Sequence, residues 1–124
     1  MPTTKVLFFQ ERDCHSPVLN WLTDLRRTDP KAFAKCIAVI DRLRALGHEL
    51  RRPTADFLRD GLFELRARRG HVNYRLLYFF HGKAVAVLAH GVTKVDVISD
   101  ADFERALRWK RAFEEDPDGH TYRE

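Results

Sequence analysis

Residues 61–93 read GLFELRARRGHVNYRLLYFFHGKAVAVLAHGVT, three short apolar runs whose polar interruptions are almost all Arg, His or Lys. The runs 62–68, 72–80 and 84–93 have strand length. Their separators, Arg69-Gly70-His71 and His81-Gly82-Lys83, each contain glycine, which favours short hairpins and an antiparallel meander. An antiparallel sheet can bury one face and leave the other wet. Arginines recurring inside apolar strands therefore lay a basic patch on the sheet, a surface suited to phosphates.

Working outward, residues 5–10 (KVLFFQ) have the β-branched and aromatic content of a strand. Ser16-Pro17 reads as an N-cap and first helical position, with Val18, Leu22 and Leu25 at helical spacing beside Trp21, giving a helix to about Arg27. Asp29-Pro30 repeats the start signal. Phe33, Ile37, Ile40 and Leu43, flanked by Cys36 and Val39, then form an apolar stripe that ends before the C-cap candidate Gly47. The two helices form an αα-hairpin with its apolar side on the sheet. Residues 48–60 show little periodicity and one proline, and read as a loop over the sheet. Ser99 with Asp102 three residues on resembles a capping box, and Phe103, Ala106, Leu107 and Phe113 line one side of a final helix. The expected architecture is α+β: two N-terminal helices packed on a small antiparallel sheet, plus a C-terminal helix. Residues 1–115 make one domain, and residues 116–124, which lack periodicity, make a flexible tail.

A chain of 124 residues fits one core, and 44% hydrophobic with 32% charged residues excludes collagen-like, disordered and membrane classes. No apolar run approaches a membrane span and the N-terminus lacks a signal-peptide pattern, so the cytoplasm is the expected location. Cys14 and Cys36 stand far apart without a CxxC pair, indicating neither a disulfide framework nor a zinc site. The net charge of +4 favours polyanionic partners. It is concentrated between Arg51 and Arg75, where seven arginines face three acids, Asp56, Asp60 and Glu64. Signatures for nucleotide hydrolysis, dinucleotide binding, serine hydrolysis and zinc proteolysis are missing, so no metal and no cofactor is expected.

A period of two places Glu64, Arg66 and Arg68 on one face of the first run. Arg66 is either a phosphate contact or one half of a cross-strand ion pair with Glu64 or a neighbour. Arg75, within NYRLLYFF, must find a carboxylate or face an open groove. Tyr78 could stack on a base, move a proton or belong to the core. His90 could be a hydrogen-bonded structural residue or, having a near-neutral pKa, an acid or base. Lys94 shares its parity and suits a phosphate. The flanking Arg59, Arg68, Arg69 and His71 are read as RNA contacts.

The succession LFELRARRG, NYRLLYFF, VLAHGVTK and SDADFERALRWK resembles the RelE/HigB superfamily of bacterial toxins, and within it the phage-derived HigB-like branch. The likeness runs from about Lys5 to Phe113. It implies a RelE/ParE-like fold with a twisted sheet, and the toxin of a type II toxin–antitoxin pair that cleaves mRNA in the ribosomal A site without metal. The RNA 2′-hydroxyl attacks the adjacent phosphate. Carried over by motif, Arg66 and Arg75 would be phosphate clamps, Tyr78 a stacking or proton-relay residue, and His90 or Lys94 an acid/base or phosphate contact. The implied partners are an antitoxin with a helix-turn-helix domain, the ribosome with its mRNA, and operator DNA through the antitoxin. Departures are Lys94-Val95 where the branch carries two lysines, Ser99 where it has proline, and Glu64 where some relatives are basic. Two alternatives are a non-enzymatic ParE-like gyrase inhibitor and a catalytically inactive relative that acts with its antitoxin in operator binding.

Overall fold

A computed structural model of the chain describes residues 3–94 and 98–123, without the side chain of Lys94. The elements run β1 (Lys5–Phe8), α1 (Pro17–Thr28), α2 (Pro30–Leu46), β2 (Ala55–Arg59), β3 (Leu62–Arg69), β4 (Val72–Phe80), β5 (Val85–Lys94) and α3 (Asp100–Glu115). The fold is α+β, consistent with a RelE-like arrangement. No helix is long and apolar enough to cross a membrane among the described residues.

Helix starts follow the capping chemistry. Ser16 accepts from the backbone N–H of Leu19, Asp29 from that of Ala32, and Ser99 from that of Asp102, each satisfying a first-turn donor with no partner inside its helix. Helix α2 ends at Gly47, whose φ of 52° suits a residue without Cβ. Its buried line is Ala32, Cys36, Ile40 and Leu43, while Phe33, Ile37 and Val39 are only partly buried. The helix is thus turned slightly from the expected stripe.

The five strands are ordered β1-β5-β4-β3-β2. The expected meander of β3, β4 and β5 is present, but the sheet is mixed, because β1 runs parallel to β5 on one edge. The segment read as a loop contains a short 3-10 turn at Gly47–Glu49 and the edge strand β2. Strand β2 forms by pairing with β3 through the two-residue turn Asp60-Gly61, whose φ angles are 53° and 79°. Asp-Gly is the preferred dipeptide for a turn in which both central residues need positive φ, so the signal for β2 was in the turn. Residues beyond Asp116, expected to carry little structure, make a 3-10 turn at Asp118–His120. Thr121 bridges to Phe9 and His120 stacks on the Phe9 ring.

The sheet separates two apolar layers. Leu65, Ala67, Tyr74, Leu76 and Tyr78 pack against α1 and α2, and Leu62, Leu77, Phe79, Val87 and Ala89 pack against α3. Gly91 lets α1 sit close on β5, since an added Cβ would collide with the Trp21 ring. Between Leu77 and Tyr78 the β4–β5 register slips by one residue, so Leu77 pairs with His90 and Tyr78 with Leu88. Such a bulge flips the side-chain parity of β5. It puts His90 and Val92 on the same face of the sheet as Leu77 and Arg75.

Candidate functional site

Helix α3 covers only part of its face of the sheet. The remainder is an open groove of about 470 Å³ lined by Pro53, Thr54, Arg66, Arg68, Asn73 and Arg75. Strand register builds it. Arg66 lies directly opposite Arg75, and Arg68 opposite Asn73, which in turn faces Lys94 across β4 and β5.

Two arginines directly opposite on adjacent strands repel each other. The compensation comes from Glu64, only 1% exposed, which accepts from Arg66 Nε at 2.5 Å on one carboxylate oxygen and from Arg75 Nη1 at 3.2 Å on the other. Asp56, beside Glu64 in the β2–β3 register, accepts from Arg66 Nη2 at 3.1 Å and pairs with Arg52 Nε at 3.0 Å. The hydrogen bond from Arg52 outweighs burial and holds the Asp56 carboxyl below the usual carboxylate range, with the Arg66 charge adding to it. Three guanidiniums thus share two carboxylates and leave one positive charge, to which Arg68 adds a second at the groove wall. These ion pairs run through Nε and Nη2 of Arg66 and through Nη1 of Arg75. Arg75 Nε is buried without a hydrogen-bond partner among the described residues, a local cost of about 1–3 kcal/mol for such a group.

The other candidates lie elsewhere. Tyr78 is buried on the opposite face, against Phe63 and Phe80, and burial pushes its hydroxyl pKa upward. It does not line the groove. His90 lies on the arginine face but beneath α3, where Nε2 is 3.0 Å from Asp102 Oδ1 and the ring meets Trp109 edge-on. Ser99 Oγ donates to the other oxygen of Asp102, so this carboxylate ties His90 to the start of α3. Arg59 stacks over Phe103 at 4.0 Å and Arg69 pairs with Asp29, both away from the groove, while His71 is exposed in the β3–β4 turn. Arg68 alone of the four expected RNA contacts lines the groove, and its Nε donates to the Gly70 carbonyl at 2.9 Å. The Lys94 side chain and Val95 lie outside the described residues. Sequence alone counted Asp56 among the acids of the patch without giving it a role; once β2 is recognised, the register places it beside Glu64.

Burial lowers the His90 pKa from 6.5 more than the Asp102 hydrogen bond raises it. The folded state therefore prefers the neutral ring, and the unfolded chain binds the proton more readily. Stability contributed by His90 is present above pH 6.5 and is lost as pH falls below it. Thermal melts on either side of that pH should show a drop in the parent that is smaller in His90→Gln. Equal drops would exclude His90 as the source.

Residues 23–109 match the family model described as Phage derived protein Gp49-like (DUF891). The match spans well over half of the chain, and the chain belongs to this phage-derived family, which falls within the RelE/HigB-like toxin–antitoxin superfamily. A search of curated proteins gives no match.

Proposed function

We propose that the protein is the toxin of a type II toxin–antitoxin pair and acts as a ribosome-dependent mRNA endoribonuclease, with the arginine groove as its RNA site. The observation that carries this reading is the convergence of Arg66, Arg68, Arg75 and Asn73 on one open groove. In-line attack of a 2′-hydroxyl oxygen on the adjacent phosphorus, with loss of the hydroxyl proton, breaks the bond to the 5′-oxygen of the next nucleotide, leaves a 2′,3′-cyclic phosphate and a 5′-hydroxyl, and gathers negative charge on the equatorial oxygens in the transition state. Preorganised guanidiniums stabilise that charge more than they stabilise the ground state. Arg66 and Arg75 would clamp the phosphate, the planar guanidinium fork suiting two oxygens better than an ammonium does. Arg68 would hold a neighbouring phosphate. Family membership supports an antitoxin as partner, and the reading adds the ribosome with its message, and operator DNA through the antitoxin.

The test maps RNA 5′ ends in a translating extract with and without the protein. New ends confined to ribosome-bound message are the expected result, and their absence would overturn the reading. One observation favours a second reading. Tyr78 and His90, the proton-transfer candidates whose side chains are described, both lie outside the groove, as suits a catalytically inactive relative that works only with its antitoxin at an operator. Such a protein would leave the message uncut. A ParE-like gyrase inhibitor would instead register in a supercoiling assay.

A further inference from the structure

The most buried charged side chain of the sheet among the described residues lies at the groove, and neither the fold nor phosphate binding by itself accounts for it. Glu64 is 1% exposed, sits on β3 between Asp56 on β2 and Leu77 on β4, and spends one oxygen on each of two arginines. A surface built only to attract RNA would gain by an apolar or neutral residue here, because a carboxylate subtracts charge where phosphate must bind. Stability is no better an explanation, since burying an ion pair roughly breaks even against apolar packing of the same volume. What the carboxylate supplies is geometry. A flexible arginine held at two points loses most of its rotamer freedom, and Arg66 is held by both Glu64 and Asp56. Arg75, 12% exposed, is fixed by Glu64 from the neighbouring strand.

We propose that Glu64 is a positioning residue: its bridge sets Arg66 and Arg75 at a fixed spacing over the groove, strengthening the site's hold on the transition state while weakening its hold on resting RNA. The inference rests on the groove being the RNA site. It makes binding and cleavage move in opposite directions when the bridge is cut, because the carboxylate opposes the first and organises the second.

The experiment compares the parent with Glu64→Gln and Glu64→Asp, all checked for folding by circular dichroism. Binding is measured to a short single-stranded oligoribonucleotide fully 2′-O-methylated, which lacks the attacking hydroxyl, and cleavage by single turnover on programmed ribosomes. Glu64→Gln removes the charge and turns an amide donor toward a guanidinium. Binding should tighten about tenfold, with a salt dependence steeper by about 0.7 in log–log slope, one added phosphate contact on a single strand. Cleavage should slow about a hundredfold, the order of loss that a misplacement of about 1 Å produces. Glu64→Asp keeps the charge but is too short to span both partners, so binding should stay near the parent value while cleavage still falls.

A folded Glu64→Gln protein that cleaves as the parent does, or in which binding and cleavage fall together, would overturn the proposal. Should the variants fail to fold, nuclear magnetic resonance of the parent's arginine side chains decides. The Arg66 Nε–H should stay protected from exchange when the methylated oligonucleotide binds, and loss of that protection would show that RNA takes the arginines away from Glu64. If the parent cuts no ribosome-bound message, the endoribonuclease reading fails, and the binding and resonance measurements still decide whether the bridge orders the arginines.

Discussion

Arg75→Ala is expected, on the proposed reading of the groove, to lower mRNA cleavage by about a hundredfold to a thousandfold, the usual loss when one preorganised donor to a developing anion is removed. Arg75 is the least exposed of the three groove arginines, at 12%, and shares Glu64 with Arg66. Alanine therefore removes the proposed phosphate donor and leaves Glu64 with Arg66 as its ion-pair partner among the described residues. Because that carboxylate is buried, some stability goes too, and Arg75→Lys serves as the control. An ammonium can still pair with Glu64, so the fold should melt near the parent temperature, but one point charge cannot serve Glu64 and a phosphate through separate nitrogens. Single-turnover cleavage on programmed ribosomes and thermal melting are the two readouts, with growth on induction as the check in cells. Arg66, one third exposed and held by two carboxylates, should show a similar loss on Arg66→Ala. If both alanine variants fold and arrest growth as the parent does, the groove is not the site.

Leu77→Ala should produce the largest loss of stability per atom removed. Leu77 is fully buried and lies in one cross-strand row between Glu64 and His90, closing the seam between the ion-pair cluster and the apolar layer under α3. Truncating a fully buried leucine costs about 2–5 kcal/mol, most where neighbours cannot collapse into the space. Here the neighbours are strands pinned by their hydrogen-bond ladders, so the upper half of that range is expected. For a domain of this size the melting temperature should drop by roughly 10 °C or more. A drop of only a degree or two would mean that water or α3 fills the gap, and that the cluster and the α3 layer are not mechanically joined.

Much of the architecture could be read from short-range signals because its determinants are local. Ser16-Pro17, Asp29-Pro30 and Ser99 each start a helix with their own side chains, and the three apolar runs of residues 61–93 pair through short turns. What escaped was decided at a distance or by a neighbour. Strand β2 carries Phe57 more than half exposed, so its composition looks like a loop, and only pairing with β3 makes it a strand. The parallel contact of β1 with β5 joins residues about eighty positions apart and has no local signature. His120 and Thr121 meet a phenylalanine near the other end of the chain, Phe9.

The site divides in the same way. Alternation placed Arg66 and Arg68 on one face of β3, and register brings Arg75 beside them. Parity could not say which face of β4 met the helices, because both sides of that strand are largely apolar, and so Tyr78 read as a candidate although it belongs to the core. Arg69 and Arg59 were grouped with the patch by proximity in sequence. Their actual partners, Asp29 and the Phe103 ring, come from α2's cap and from α3. Charge composition locates a patch, whereas only the pairing of strands tells which cations of that patch are already spent.

The hairpin connections of β2, β3 and β4 carry a last implication. Every residue that lines the groove, together with Asp56 and Glu64, falls between Pro53 and Arg75, either in β2, β3 and β4, which are joined by tight two-residue turns, or in the two residues just before β2. No long loop has to close before these charges meet, so the entropic toll on assembling them is small. The chemistry of the groove can thus be rewritten by substitutions inside one contiguous stretch, while α1, α2 and the β1–β5 pair remain as they are.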